Sequence, residues 1–175
     1  MALFKWNTAG TLLASGSDDR TIIVWDGVRC ERVSRLETPH EGNIFSVVWL
    51  PGSEDGQLAS GAGDCRVCLA DVEAGAVTRS VMGHQGRVKR LAVAGDVPGV
   101  IWSGGEDGLV RQWDTREKWT ADSANVLINL TNQVSLKSRL ALHLTICFCP
   151  GWSQCRGQVS GHLPQSSRAG GSGRQ

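Results

Sequence analysis

The chain has 175 residues, a formal net charge of +1, 20% charged residues and 41% apolar residues. That length can bury the core of one ordinary domain, and the near-neutral balance carries no bias toward nucleic acid or a membrane surface. The N-terminus lacks the basic, long apolar and small-residue succession of a secretory leader, so none is expected.

Alternating apolar residues between turn signals predict strands along the first three quarters of the chain. The first four are 2–6, 12–15, 21–26 and 32–37, with 7–10 and 16–20 as the turns between the first three. The next four are 43–50, 57–61, 66–71 and 76–82, with 51–56 as an exposed turn. The last four are 88–94, 100–103, 109–114 and 126–130, and the small-residue turn 95–99 contains Pro98. Beyond Asn132 the pattern stops. The apolar run 140–149 is too short for a membrane span and contains His143. Residues 165–175 are rich in Ser, Gly and Arg and read as flexible. Charge divides at the same place: all 17 acidic residues lie at or before Asp122, and 134–175 hold five Lys or Arg and no acid.

Three of these groups share one spaced pattern, Ser-x3-Asp-x5-Trp-Asp. It reads Ser15/Asp19/Trp25-Asp26, then Ser60/Asp64/Ala70-Asp71, then Ser103/Asp107/Trp113-Asp114. The steps between the first aspartates are 45 and 43 residues, and His40 and His84 precede their serines by 20 and 19. A period in the low forties with these landmarks is the signature of a WD-repeat β-propeller, whose blades are four-stranded antiparallel sheets. The predicted fold is therefore all-β: a partial propeller of three four-stranded blades, too few to close a ring, with a poorly ordered C-terminal tail. The repeats fall at about 1–38, 39–82 and 83–133, and 134–175 form the divergent tail.

The spacing has a chemical reason. The aspartates fall in the turn between second and third strands, the serine on the second strand, the tryptophan on the third and the histidine in the preceding loop. The carboxylate accepts, histidine and serine relay, and the indole N–H donates. Only the third repeat has all four, in His84, Ser103, Asp107 and Trp113. The second has His40, Ser60 and Asp64 but places Ala70 where tryptophan belongs. The first has Ser15, Asp19 and Trp25, and its histidine would precede the first residue. A Ser-His-Asp hydrolase is the sharper reading of His84, Ser103 and Asp107. It fails because the same residues recur at His40, Ser60 and Asp64, and no Gly-x-Ser-x-Gly elbow is present. The expectation is a non-enzymatic protein without a cofactor.

The six cysteines read as free thiols of a reducing compartment, cytoplasmic or nuclear. Cys65 and Cys68 have a C-x2-C spacing, but the nearest second pair, Cys147 and Cys149, is wrongly spaced for a zinc site, so no metal is expected. Asn129-Leu130-Thr131 is a glycosylation sequon, expected to be unused without secretion. Arg87, Lys89 and Arg90 form a short basic cluster, a solvated face with room for an acidic partner but too small a footprint for nucleic acid.

The stretches 12–19, 42–47, 87–90 and 106–112 (Leu-Leu-Ala-Ser-Gly-Ser-Asp-Asp, Gly-Asn-Ile-Phe-Ser-Val, Arg-Val-Lys-Arg and Glu-Asp-Gly-Leu-Val-Arg-Gln) resemble the substrate receptors of cullin-RING ubiquitin ligases that join WD to tetratricopeptide repeats. The resemblance covers roughly three quarters of the chain and departs from that family in two ways. The blades are too few for a ring, and no 34-residue helical repeat is visible. The chain therefore reads as a truncated form, with 134–175 replacing the usual continuation. The resemblance implies that Trp113-Asp114-Thr115-Arg116 is the WDxR box that docks on the ligase adaptor. Arg116 would emerge on the rim, where a planar fork can grip a partner's carboxylate or carbonyls. The alternatives are a generic WD scaffold, or a truncated isoform with no activity of its own. Open blade edges also predict self-association.

Overall fold

A computed structural model describes residues 3–120 and 125–131. Their regular structure is twelve β-strands in three antiparallel sheets of four. The first sheet contains β1 (Leu3–Trp6), β2 (Leu12–Gly16), β3 (Thr21–Asp26) and β4 (Glu31–Glu37). The second contains β5 (Ile44–Trp49), β6 (Gln57–Ala62), β7 (Arg66–Asp71) and β8 (Ala76–Met82). The third contains β9 (Val88–Ala92), β10 (Val100–Gly105), β11 (Leu109–Asp114) and β12 (Asn125–Asn129). Within each sheet the strands lie in chain order. Every predicted strand is present: β3, β7, β8 and β11 have the predicted bounds, and the ends of the others move by one or two residues. Thus β2 runs on to Gly16, β10 to Gly105, and β12 begins at Asn125. The predicted tail, 134–175, lies outside the described residues.

The sheets face one another as blades do. One buried cluster, with Ile22, Val24, Leu36, Ile44, Val47, Trp49 and Leu58, joins the first sheet to the second. The other, with Val48, Leu50, Val67, Leu69, Val88, Leu91 and Trp113, joins the second to the third. The middle sheet is covered on both faces, so β6 and β7 read as nearly unbroken small and apolar runs rather than alternating ones. Close approach of the sheets depends on two glycines. A β-carbon on Gly16 would lie 2.8 Å from side-chain carbons of Ile44 and Val47, and one on Gly61 would lie 2.6 Å from Val88. Polar bonds cross the same interfaces: the Trp49 indole donates to the Lys5 carbonyl at 2.9 Å, and the Leu91 amide to Ser46 Oγ at 3.0 Å.

The turns repeat as closely as the strands. In each β2–β3-type turn the aspartate Oδ1 accepts the amide two residues on: Thr21 from Asp19, Arg66 from Asp64, Leu109 from Asp107. The residue between sits in the left-handed region, Arg20 at φ 68°, Cys65 at 66° and Gly108 at 78°. Only the third repeat has the glycine that this conformation favours. Cys65 is thus a turn residue just before β7, while Cys68 lies inside the strand. The outer strands share a further irregularity. The pairing of β3 with β4, β7 with β8 and β11 with β12 each slips by one residue, leaving Val33, Thr78 and Leu127 as extra residues; the first two slips fall at the same place in the repeat, and the third falls two residues earlier.

Candidate functional site

The third sheet builds the complete hydrogen-bonded chain. Trp113, on β11, is 1% exposed, and its Nε1–H donates to Ser103 Oγ at 2.8 Å. Ser103 Oγ lies 2.7 Å from His84 Nε2, and His84 Nδ1 lies 2.9 Å from Asp107 Oδ2. An ionised carboxylate can only accept, so Nδ1 carries the proton and Nε2 accepts from the serine hydroxyl. Donation therefore runs one way, from indole to hydroxyl to imidazole to carboxylate. Asp107 also takes the Gln85 amide at 2.9 Å. Burial lowers the pKa of His84 most strongly, and the Asp107 bond only partly offsets it. Burial pulls Asp107 upward, but the Gln85 amide and His84 outweigh it and hold that carboxyl below its usual range.

The second sheet repeats part of this chain. His40 bridges Ser60 Oγ at 2.9 Å and Asp64 at 3.1 Å. No indole stands at Ala70, so Ser60 lacks that donor. On the other side of the ring the buried Cys68 Sγ sits 4.0 Å from His40 Nδ1. Burial pushes the Cys68 thiol up to about 11, and burial with nearby carboxylates also raises Cys65. Both are therefore protonated thiols at neutral pH. In the first sheet Trp25 Nε1 reaches Ser15 Oγ at 3.0 Å, and the serine hydroxyl turns to the Ile23 carbonyl at 3.3 Å. Ser15 and Trp25 are half-buried, whereas Ser103 and Trp113 are buried.

The surface chemistry lies just after β11. Asp114 ends that strand, and Arg116 extends from the turn with its side chain 74% exposed. Arg116 Nε donates to Asp114 Oδ1 at 2.9 Å, its Nη2 to Oδ2 at 2.5 Å, and its amide to Oδ1 at 2.9 Å. The Arg116 side chain, then its amide, hold the Asp114 carboxyl at about 2. The carboxylate gripped by the fork thus belongs to this chain, and the two Nη1 donors and one on Nη2 are left by these bonds. Five residues on, Trp119 Nε1 donates to the Asp114 carbonyl at 2.8 Å, and its ring lies 5.4 Å from that of Trp113. Trp119 has no sequence counterpart in the other repeats, where Glu31 and Ala76 stand, and the repeat pattern does not flag it. The equivalent turns differ. Asp26 Oδ1 accepts the Val28 and Arg29 amides, and Asp71 Oδ1 accepts the Ala74 amide.

Part of the basic cluster is paired within the chain, through the single carboxylate of Glu106. Lys89 Nζ lies 3.1 Å from Glu106 and 4.0 Å from the centre of the Phe45 ring, and Arg87 approaches Glu106 at 3.9 Å. Arg90 is exposed. The turn 51–56 does more than face solvent: Asp55 Oδ2 accepts from the buried Asn7 Nδ2 at 2.8 Å and ties the first sheet to the second. Asn129, in the sequon, accepts from Thr131 Oγ1 at 2.6 Å. Cys147 and Cys149 lie outside the described residues.

Residues 2–26 and 75–114 match the family model described as WD domain, G-beta repeat. These segments are WD repeats, and with the bladed fold they define a WD-repeat protein-interaction domain. The chain is 43% identical over 127 residues to WD and tetratricopeptide repeats protein 1 of human and mouse, covering 73% of this chain and 18% of that protein. It is 37% identical to Protein ALTERED SEED GERMINATION 2 of Arabidopsis thaliana over 68% of the chain and 17% of that protein. It is 33% identical to human DDB1- and CUL4-associated factor 6 over 65% of the chain and 14% of that protein. The chain thus spans less than a fifth of each of these relatives.

Proposed function

We propose that this chain is a non-enzymatic binding module that docks on DDB1, the adaptor in a CUL4 cullin-RING ubiquitin ligase, and presents protein substrates to it. The observation that carries the reading is the Asp114–Arg116 pair. Among the described residues it is the place where an exposed guanidinium makes side-chain hydrogen bonds from two of its nitrogens to its own chain's carboxylate at a blade's rim, whereas Arg29 only approaches Asp26 at 4.0 Å. Preorganisation lowers the ordering cost that a flexible arginine would bring to an interface. Because Asp114 already balances the charge, the remaining donors suit the partner's backbone carbonyls better than a carboxylate. The name of one relative, DDB1- and CUL4-associated factor 6, supports the choice of adaptor.

The test is capture of purified DDB1 by the chain and by Arg116→Ala. Loss of capture with an unchanged circular dichroism spectrum is expected, since Arg116 lies outside the buried clusters. Capture at full strength would sink the reading. It would favour a second one, a WD scaffold with no ligase link, in which the pair only closes a turn.

A further inference from the structure

We infer that Arg79, on the neighbouring sheet, is a positioning residue for the Arg116 loop, an inference that rests on the docking reading above. Arg79 Nη1 donates to the Glu117 carbonyl at 2.5 Å, and its guanidinium lies 5.8 Å from the centre of the Trp119 ring. Trp119 in turn holds the Asp114 carbonyl and leans on Trp113. A continuous set of contacts thus runs from β8 through Trp119 to the backbone of Asp114, whose carboxylate orients Arg116.

The loop needs such support. Arg116, Glu117 and Lys118 are all exposed, and the bonds of Arg116 run to Asp114 within the same turn, so they do not by themselves fix the turn to the blade stack. A charged donor on a carbonyl is a strong bond, and a cation over an indole adds to it. Arg79 comes from a different sheet, so it anchors the loop to the rigid blade stack instead of to itself. Strand register places Ser34 of β4 where Arg79 stands in β8, since they pair with Val24 and Leu69. A serine there carries no cation to reach across. The clasp therefore belongs to the one junction that carries the box.

Arg79 acts by raising the fraction of time the loop is competent to bind. Apparent affinity falls in proportion to that fraction. With purified DDB1 and the full chain, Arg116→Ala is expected to abolish binding, and Arg79→Ala to raise Kd about tenfold, as for a loop competent a tenth of the time. Arg79→Lys, which keeps a cation and a donor, should restore part of the loss. Hydrogen exchange supplies the readout that a merely structural role would not give: amides of 115–119 should lose protection in Arg79→Ala while those of β5 to β7 keep theirs. Wild-type affinity in Arg79→Ala, with Arg116→Ala not binding, overturns the inference. Weakened binding with equal loss of protection across the second sheet also overturns it. Wild-type binding by Arg116→Ala fails the docking reading itself, and the inference with it.

Discussion

The six-membered ring of Trp113 fills the space over Gly83 so closely that a β-carbon on that residue would collide with it. The second repeat changes both positions together. Ala70 stands for Trp113, and Pro39, just before His40, stands for Gly83. Ala70→Trp alone should therefore overpack the site and destabilise the chain by about 1–3 kcal/mol. Adding Pro39→Gly should recover part of that loss, because the new indole can then reach Ser60. Denaturant midpoints for the two single changes and the pair check this as a cycle. Strict additivity would mean that the two positions do not share a space.

Asp107 and Asp19 occupy matching turns but differ in burial, Asp107 being shielded and Asp19 exposed. Asp107→Ala leaves His84 Nδ1–H and the Gln85 and Leu109 amides without their acceptor, at a cost of about 1–3 kcal/mol or more. Asp19→Ala removes bonds to the amide and hydroxyl of Thr21 and a side-chain bond with Ser17, all in an exposed turn open to water. It should cost less. Urea midpoints showing Asp19→Ala to be the more damaging change would reverse this ranking.

Cys65 holds a left-handed backbone that Gly108 holds without a side chain. Cys65→Gly should stabilise the chain by about 1 kcal/mol by relieving that contact, and Gly108→Ala should destabilise it by a similar amount. Thermal melts of the two variants should move in opposite directions. A fall in both would show that the Cys65 side chain contributes more than its backbone costs.

Stability should fall as pH drops below about 6.5. Burial lowers the pKa of both His40 and His84 from the ordinary value of 6.5. The unfolded chain then takes up protons that the folded chain resists. Their contribution is complete above 6.5 and declines as pH falls toward the lower folded-state values, by up to about 1.4 kcal/mol per pH unit for each histidine. Denaturant midpoints at pH 7.5 and 5.5 measure it. A higher midpoint at 5.5 would mean that the carboxylate contacts of Asp64 and Asp107 outweigh burial.

The repeat made much of this fold legible. Ser103, Asp107 and Trp113 recur at a fixed spacing with Ser15, Asp19 and Trp25, so their shared role could be inferred without coordinates. Contacts that occur once have no such signal. The bond from Asn7 to Asp55 joins two turns 48 positions apart, and nothing in either turn's composition announces the other. Trp119 was hidden for the same reason, since its place in the period holds Glu31 and Ala76 elsewhere. Arg116 was identifiable as a rim residue, but its fork pointing back to Asp114 depends on turn geometry that the four-letter box does not encode.

The slipped residues Val33, Thr78 and Leu127 have a consequence for what can approach the rim. A visiting polypeptide zips onto a sheet by matching a regular row of amides and carbonyls, and each outer strand interrupts that row. Extended peptides laid along β4, β8 or β12 would lose register halfway. Recognition there must instead come from side chains offered at the corners between strands, which is where Arg116 stands.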